Sequence, residues 1–304
     1  MAHFAIFTSL ETPQGRAGLL FATARTLRDR GHAVELVLAR RSDAVLAAVP
    51  EGVGIVELFS RAAPRLWQRK RPVYLTVMAL ARYLRRTRPD ALLGGSIPPN
   101  IVALLARRLA GVSTPVALRQ SNVQRIPGDP AYAGIAPRRR DGLVRRLYRE
   151  ADAVIAVAAG TADNVVKAAG VPPARVHVIP AGIDPEAARA RAAEPVAHPW
   201  FQGDGPPVIV NVGRQVPKKD QATLLHAFAR LRAARDCRLV ILGARAGASA
   251  ELDALITRLG LVDSVDRPGS VANPFAYLAR ADLFVLSSIS EGMPNALLEA
   301  MAVG

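Results

Sequence analysis

The chain has 304 residues, half of them hydrophobic, with a formal net charge of +15, which gives room for two domains with separate cores. No apolar run approaches the ~18 residues of a membrane span, and the N-terminal MAHFAIFTSL lacks a basic leader, so a cytoplasmic protein is expected. The single cysteine, Cys237, excludes an internal disulfide, and the histidines lack metal-ligand spacing, so neither a metal nor another cofactor is expected.

Short β-branched segments alternate with longer segments rich in Ala, Leu and Arg along the first half of the chain. Strands are predicted in HFAIFT, AVELVL, GIVEL, DALLG, PVALR, DAVIAV and VHVIP. Helices are predicted between them, at residues 17–29, 74–86, 101–109 and 161–169. This alternation is typical of a parallel sheet with helices on both faces.

A second cycle of the same kind follows a segment rich in Pro, Gly and Ala. Strands are predicted in PVIVNVG, RLVILG and LFVLSS and near Val265, with helices at residues 221–235 and 250–259. No G-x-G-x-x-G motif is present, because GVGIVE departs from it at the last position, and this disfavours a dinucleotide oxidoreductase.

The sequence therefore predicts an α/β protein of two tandem Rossmann-like domains. The first covers residues 1–185, a linker covers residues 186–206, and the second covers residues 207–304. Ligands bind beyond the carboxyl ends of parallel strands, so we expect a cleft between the two domains.

Basic residues are concentrated in the first half of the chain. Residues 61–88 contain no acidic residue and carry a run of cations interleaved with aromatic residues, and RRRDGLVRRLYR forms a second cluster. Two interpretations stay open, a solvated basic face and a surface that docks on anionic lipid. No nucleic-acid partner is expected, because no recognition motif accompanies the charge.

The stretch VNVGRQVPKKD combines three cations with a predicted strand end. Gly213 and Arg214 follow the strand, and Lys218 and Lys219 are predicted to open the next helix. A guanidinium, an ammonium and the positive end of a helix at one place suit a diphosphate. A basic turn without a ligand is the alternative.

The final stretch, SEGMPNALLEAMAVG, is predicted to form a helix from Pro294 to Val303. Its apolar run contains one carboxylate, Glu299, which is either a ligand group or a Glu that snorkels or pairs with an Arg. Pro294 suits a first helical turn, so residues 292–296 would present N–H groups to a phosphate or a sugar hydroxyl. A carboxylate accepts two hydrogen bonds side by side, which matches the paired hydroxyls of a ribose.

These two stretches resemble family 4 of the retaining nucleotide-sugar glycosyltransferases, which have the two-domain GT-B fold. The hallmark of that family is Glu, seven residues, Glu, matched here by Glu291 and Glu299, and the Gly-Arg…Lys element is also present. In the first domain, RGHAVELVL, DAVIAV and IPAGID are similar to family segments. The family continues beyond the position of Gly304, so the second domain is expected to be incomplete.

The resemblance implies transfer of a sugar from a nucleotide-diphosphate sugar to a hydroxyl acceptor, with retention of anomeric configuration and without a metal. It implies that Arg214 and Lys219 neutralise the diphosphate, that Glu291 contacts the transferred sugar, and that Glu299 binds the ribose. The first three are the predicted catalytic residues. The remaining predicted donor-binding residues are Gly15, Gly213, Gly292, Met293, Pro294 and Asn295.

The acceptor is expected on the first domain, beyond the strand ends that face the predicted cleft. The candidate residues are Arg16, Ser96, Asn100, Arg119, Ser121 and Asn122. Each of these positions is otherwise explained as part of a turn. The acceptor is predicted to be lipid-linked or a polysaccharide precursor. The basic runs favour a lipid-linked or anionic acceptor handled at the inner face of a membrane.

Other functions remain compatible with the sequence. A nucleotide-sugar epimerase or a sugar phosphorylase would share a two-domain cleft. A non-enzymatic basic protein that binds membranes or nucleic acid would need neither Glu291 nor Glu299.

Overall fold

A computed structural model describes residues 1–8, 16–39, 43–59, 73–123 and 139–304, and the backbone alone for residues 16, 17, 44, 73, 74 and 139–141. The chain divides into two compact units, an N-terminal unit of residues Met1–Ala181 and a C-terminal unit of residues Gly182–Gly304. Within the described ranges, no helix is long and apolar enough to span a bilayer.

The N-terminal unit contains a seven-stranded parallel sheet with the order β3-β2-β1-β4-β5-β6-β7. The strands are β1 His3–Thr8, β2 Ala33–Leu38, β3 Gly54–Glu57, β4 Ala91–Gly94, β5 Val116–Gln120, β6 Ala153–Ala156 and β7 Val176–Val178. The helices are α1 Arg16–Asp29, α2 Asp43–Leu46, α3 Val73–Thr87, α4 Ile97–Ala110, α5 Arg139–Leu147 and α6 Ala159–Ala169.

Neighbouring residues of the central strands enter two separate cores. Ile6 and Leu36 pack with Leu20 of α1, whereas Phe7 packs with residues of α3 and α4 such as Leu84. Successive side chains of a strand point to opposite faces, so both faces of this sheet are covered. The predicted α/β class is confirmed by this arrangement.

Helix α4 begins four residues earlier than predicted. Pro98 and Pro99 lie in its first turn, where a proline needs no hydrogen-bond acceptor for a backbone N–H. Gly111 ends the helix with φ +65°, in the left-handed region, and its N–H donates to the Arg107 carbonyl.

The C-terminal unit contains a four-stranded parallel sheet with the order β10-β9-β8-β11. The strands are β8 Val208–Val212, β9 Arg238–Leu242, β10 Val265–Gly269 and β11 Leu283–Phe284. The helices are α7 Pro185–Ala192, α8 Gln221–Ala234, α9 Ser249–Arg258, α10 Pro274–Leu278 and α11 Asn295–Val303. Cys237 is buried in the core beside β9, with 2% of its surface exposed.

Strand β11 is much shorter than the predicted strand LFVLSS. The Asn211 side-chain amide donates to the Val285 carbonyl at 2.8 Å, and the Ile289 N–H donates to the Lys218 carbonyl at 3.0 Å. The chain therefore leaves the sheet after β11 and follows the loop beyond β8.

The segment predicted as a linker contains helix α7, which packs on the C-terminal unit. The Asp184 carboxylate accepts hydrogen bonds from the N–H groups of Glu186 and Ala187, and Pro185 occupies the first helical position. Asn273 donates to the Arg191 carbonyl at 2.7 Å. The sequence IDPEA thus carries a helix start signal that the Pro and Gly content of the segment obscured.

Candidate functional site

The cationic stretch forms a turn beyond the carboxyl end of β8. Residues Pro217–Lys219 form one 3-10 turn, and Asp220 follows with φ +45° and ψ +45°. The Asp220 carboxylate caps α8 by accepting from the Thr223 N–H at 3.4 Å. Lys218 and Lys219 therefore lie ahead of α8, which corrects the prediction that they open this helix.

Lys219 forms an ion pair with Glu291. Its Nζ atom lies 2.7 Å from Glu291 Oε1, and the Nζ atom of Lys218 lies 4.0 Å from Glu291 Oε2. Burial raises the pKa of Glu291, but the hydrogen bond and the charge of Lys219 outweigh this effect and hold it below its ordinary value. Two motifs that are 72 residues apart are thus in direct contact.

Further hydrogen bonds fix the turn against the segment that leads to Glu291. The Ser287 hydroxyl donates to the Lys219 carbonyl at 2.9 Å. Gln221, at the start of α8, donates to both the Asn211 side chain and the Gly213 carbonyl at 3.2 Å. A Cβ atom on Gly213 would lie 3.2 Å from both Cδ and Cε of Lys219, so the absence of a side chain there leaves room for the lysine stem.

Arg214 is exposed beside this ion pair. Within the described part of the chain, its guanidinium forms no ion pair. Burial lowers the pKa of Lys218, Glu291 opposes this, and the charges of Lys219 and Arg214 lower it further. Three cations therefore share one neighbourhood, and two of them, Lys218 and Lys219, approach the Glu291 carboxylate.

Helix α11 begins one residue later than predicted. Pro294 is its N-cap, with φ −78° and ψ 106°, and Asn295 is its first residue. The proline is extended because it precedes the first turn. The Leu297 N–H donates to the Pro294 carbonyl at 3.1 Å, which leaves the N–H groups of Asn295 and Ala296 without an intrahelical acceptor. Gly292, Met293 and Asn295 are half-buried around this helix start.

Glu299 is half-buried on the second turn of α11. Burial raises its pKa, and the charge of Arg191 on α7 opposes this. Among the described residues, the Glu299 carboxylate has no hydrogen bond or ion pair. Arg191 instead donates to the Ala272 carbonyl at 2.9 Å and lies 4.7 Å above the Phe275 ring. Among the described residues, Glu299 is therefore influenced by the charge of Arg191 without forming an ion pair with an arginine.

The N-terminal unit separates its predicted acceptor residues into two groups. Asn100 is fully buried, and its side-chain amide donates to the Arg119 carbonyl at 3.1 Å and to the Tyr148 hydroxyl at 3.0 Å. Arg119 is also buried. The half-buried residues at this edge of the sheet are Ser96, Ser121 and Asn122. Gly15 and the side chain of Arg16 lie outside the described residues.

The basic run of the N-terminal unit is described only in part. Arg82, Arg86 and Arg88 are exposed, while Arg85 donates to the carbonyls of Ala110 and Leu109 at the end of α4. A cavity of about 730 Å³ lies beside them, lined by Leu58, Phe59, Met78, Ala79, Ala81, Arg82, Arg85, Arg86 and Leu109. The cations at residues 61–71 and at residue 138 fall outside the described residues.

Gly243 was not identified from the sequence, although it determines how the loop beyond β8 is placed. It has φ +135°, and a Cβ atom on it would lie 2.2 Å from the Gly213 carbonyl oxygen. Only glycine allows the two loops to approach this closely. The signal was a glycine directly after the buried strand RLVIL, in the same position that Gly213 occupies after β8.

No group of three or more His, Cys, Asp or Glu side chains within the described ranges is placed to hold a metal ion. The groups that converge beyond β8 are instead cations and helix N–H groups. These are chemical features that bind phosphate oxygens.

Solved structures define the class of fold. The chain is similar to the Anabaena protein HepE in complex with UDP and glucose, with a TM-score of 0.78 at 18% identity, covering 100% of this chain and 79% of that one. It is also similar to sucrose-phosphate synthase from Thermosynechococcus elongatus, with a TM-score of 0.73 at 17% identity, covering 100% and 80%. The two parallel α/β units are thus those of the GT-B glycosyltransferase fold.

The chain belongs to Glycosyltransferase Family 4, whose sequence profile matches residues 18–187. Residues 206–304 match the profile of Glycosyl transferases group 1. The predicted family is confirmed by these two matches.

Curated relatives match parts of the chain. A Campylobacter jejuni N-acetylgalactosaminyltransferase, which acts on a diphospho-undecaprenol-linked sugar by its name, is 32% identical over 53% of this chain and 41% of its own length. A 2-deoxystreptamine glucosyltransferase from Streptomyces kanamyceticus is 29% identical over 73% of this chain and 59% of its own. The chain therefore spans less than two thirds of the length of these relatives.

Proposed function

We propose that this chain moves a sugar from a nucleotide-diphosphate donor to a hydroxyl acceptor. The proposal is carried by the contact of Lys219 with Glu291, which joins the cationic turn beyond β8 to the acidic segment before α11. Family membership supports a sugar-transfer reaction, and the contact supplies one place where both the phosphates and the sugar of a donor would be held.

The donor roles follow from the charges. Arg214 and Lys219 contact the diphosphate, and the N–H groups at the start of α11 add further donors. Breaking the bond from the anomeric carbon to the diphosphate builds negative charge on the leaving group, so these fixed donors stabilise the transition state more than the ground state. Glu291 contacts the transferred sugar, and the half-buried Glu299 accepts hydrogen bonds from the ribose hydroxyls.

We propose that the reaction retains the anomeric configuration and needs no metal. Three cations beyond β8 supply the positive charge that a metal ion supplies elsewhere. An α linkage is part of the names of several relatives, including an α-(1→4)-mannosyltransferase from Mycolicibacterium hassiacum. Retention follows if the donor carries an α-linked sugar.

The acceptor is proposed to bind to the N-terminal unit, as a lipid-linked or polysaccharide precursor. The half-buried Ser96, Ser121 and Asn122 are the candidates for contact with its hydroxyl groups, whereas Asn100 and Arg119 hold the sheet edge together. A lipid-linked acceptor is supported by the name of the C. jejuni relative. The exposed Arg82, Arg86 and Arg88 would attract an anionic membrane surface.

Calorimetric titration with UDP, GDP and ADP tests the proposed donor. We expect one of them to bind, and Lys219→Ala to weaken that binding at least tenfold, because a hydrogen bond to a charged group contributes about 1.5–3 kcal/mol. The matched control is Lys167→Ala on α6, an exposed lysine far along the sequence, which should leave the affinity unchanged. Equal affinities in wild type and Lys219→Ala would contradict the proposed donor site.

Product analysis separates transfer from the alternatives. With radiolabelled nucleotide sugar and total lipid or oligosaccharide extracts, transfer predicts label in an acceptor product. Label that stays on water-soluble donor in a changed sugar would indicate an epimerase. Binding to anionic vesicles that falls steeply with salt and is unaffected by Glu291→Ala, with no nucleotide binding, would indicate a non-enzymatic basic protein.

A further inference from the structure

The loop that carries Arg214 is joined to the loop that follows β9. The Gly213 N–H donates to the Leu242 carbonyl at 2.8 Å, and the Gln215 N–H donates to the Ala244 carbonyl at 3.0 Å. The Ala248 N–H donates back to the Gln215 carbonyl at 3.1 Å. The backbone on both sides of Arg214 is therefore fixed, although its side chain is exposed.

The side chain of Gln215 adds a second connection. It is completely buried, and its Oε1 accepts a hydrogen bond from the Ser249 hydroxyl at 2.7 Å. The same hydroxyl accepts from the Ala246 N–H at 3.1 Å. Ser249 is the first residue of α9, so Gln215 connects the Arg214 loop to the start of a helix.

Ser249 also has a contact through its backbone carbonyl. The guanidinium of Arg267, on β10, donates to the Ser249 carbonyl at 3.2 Å and pairs with Asp253 of α9. Arg267 is 5% exposed, so this contact lies inside the unit. A continuous set of hydrogen bonds thus leads from β10 through α9 to the residue that follows Arg214.

The hydrogen bonds of Gln215 satisfy only the oxygen end of its buried amide. Within the described part of the chain, Gln215 Nε2 is buried and has no hydrogen-bond partner. A buried polar group without a partner is unfavourable, so an apolar residue of similar volume would serve stability as well or better. What the glutamine supplies is the acceptor for Ser249.

We propose that Gln215, through Ser249, is a positioning residue that orients Arg214 toward the diphosphate of the donor. This inference rests on the proposed function. If a cationic side chain is already held in its binding geometry, less conformational entropy is lost when the ligand binds. Arg214 is the contacting group, and Gln215 acts only through it.

A double-mutant cycle tests the assignment, with the nucleoside diphosphate that binds wild type best and the matching monophosphate as probes. Gln215→Met should weaken diphosphate binding about tenfold, with a smaller effect on the monophosphate. In an Arg214→Ala background, Gln215→Met should change affinity less than twofold, because the group that it orients is gone. Thermal unfolding should show that Gln215→Met is at least as stable as wild type.

Ser249→Ala gives a second route if Gln215→Met fails to fold, and it should reproduce the loss of diphosphate affinity. Thr257→Ala is the matched control, since it removes another α9 hydroxyl, which donates to the Asp253 carbonyl at 3.2 Å. Its affinity should equal that of wild type.

The outcomes separate this inference from the proposed function. The positioning role is overturned, and the donor site stands, if Arg214→Ala weakens binding and Gln215→Met does not. The same conclusion follows if Gln215→Met weakens binding by the same factor in wild type and in Arg214→Ala. If wild type binds no nucleoside diphosphate, the proposed function is overturned, and the positioning role with it.

Discussion

Asn100 and Glu299 occupy the same kind of sequence and have opposite surroundings. Asn100 is a polar residue in the apolar run IPPNIVALLA, and Glu299 is a polar residue in ALLEAMAV. Asn100 is fully buried with two hydrogen bonds through its amide. Glu299 is half-buried and, within the described residues, its carboxylate has no hydrogen-bond partner.

The difference shows what a polar residue on an apolar helix can do. The nitrogen of the Asn100 amide finds both of its acceptors within the same unit, although the amide oxygen has no hydrogen-bond partner among the described residues, so Asn100 connects α4 to β5 and contributes to the fold. Partial burial makes the ionised form of a carboxylate less favourable, so Glu299 lowers the stability of the folded unit until a ligand supplies hydrogen-bond donors. The first polar residue therefore serves the scaffold, and we propose that the second serves a ligand.

The largest expected effect is the loss of stability on replacing Asn100. Asn100→Ala removes the donors to the Arg119 carbonyl and the Tyr148 hydroxyl, and we expect the free energy of unfolding of the N-terminal unit to fall by about 3 kcal/mol. Hydrogen exchange of the β5 amides measures this loss. If β5 exchanges as slowly in the variant as in wild type, Asn100 and Glu299 do not differ in the way described.

Gly94 sharpens the comparison, because it borders Asn100. A Cβ atom there would lie 2.2 Å from Asn100 Oδ1 and 3.2 Å from its Cα, so Gly94→Ala must displace the amide. We expect a loss of about 2 kcal/mol in the same exchange experiment. Gly160→Ala on α6 is the control, since nothing lies within 4 Å of its Cβ position, and it should be neutral or stabilising.

Glu291 should stabilise the C-terminal unit only while it is ionised. Its pKa lies below the ordinary value of 4.5, so its contribution is present above that pH and disappears as the pH falls through the lowered pKa. Glu291→Gln should reduce stability by about 1 kcal/mol at pH 7. Urea unfolding of both proteins as a function of pH checks this, and a difference that persists at pH 2 would contradict it.

Glu299 should show the opposite sign with the smallest magnitude. Its pKa is raised above 4.5, so the ionised form destabilises the folded unit at neutral pH. This penalty shrinks once the pH falls below the raised pKa and is gone below the ordinary value of 4.5. Glu299→Gln should therefore be slightly more stable than wild type at pH 7, and the two curves should converge in acid. A variant that is less stable at pH 7 would mean that Glu299 has a structural partner.

The strands and most helices could be predicted from the sequence, because their periodicity reflects burial directly. Ile6 and Phe7 alternate between two cores as the pattern of β1 required. Other features depended on one capping side chain: the Asp220 cap leaves Lys218 and Lys219 ahead of α8, which starts at Gln221 as predicted, and the Asp184 cap starts α7 at Pro185, one residue before the predicted linker. One capping residue hardly changes the composition of a segment, so a prediction based on composition does not detect it.

The candidate site was only partly predictable, since its residues meet through tertiary contacts. The spacing of Glu291 and Glu299 indicated a ligand role, but the ion pair between Lys219 and Glu291 depends on how the chain turns after β11. Asn100 and Ser96 looked alike in the sequence because both lie near the same strand end. Their burial, which separates them, depends on Tyr148 far along the chain.

Because Cys237 is buried, its reactivity can report on local opening of the C-terminal unit. It is the single thiol of the protein, it is 2% exposed beside β9, and burial raises its pKa, so a thiol reagent in solution has little thiolate to attack in the closed state. The rate of alkylation then counts the openings of the C-terminal sheet. A saturating ligand should slow the alkylation of Cys237, and the more it stabilises the closed sheet, the slower the alkylation should be.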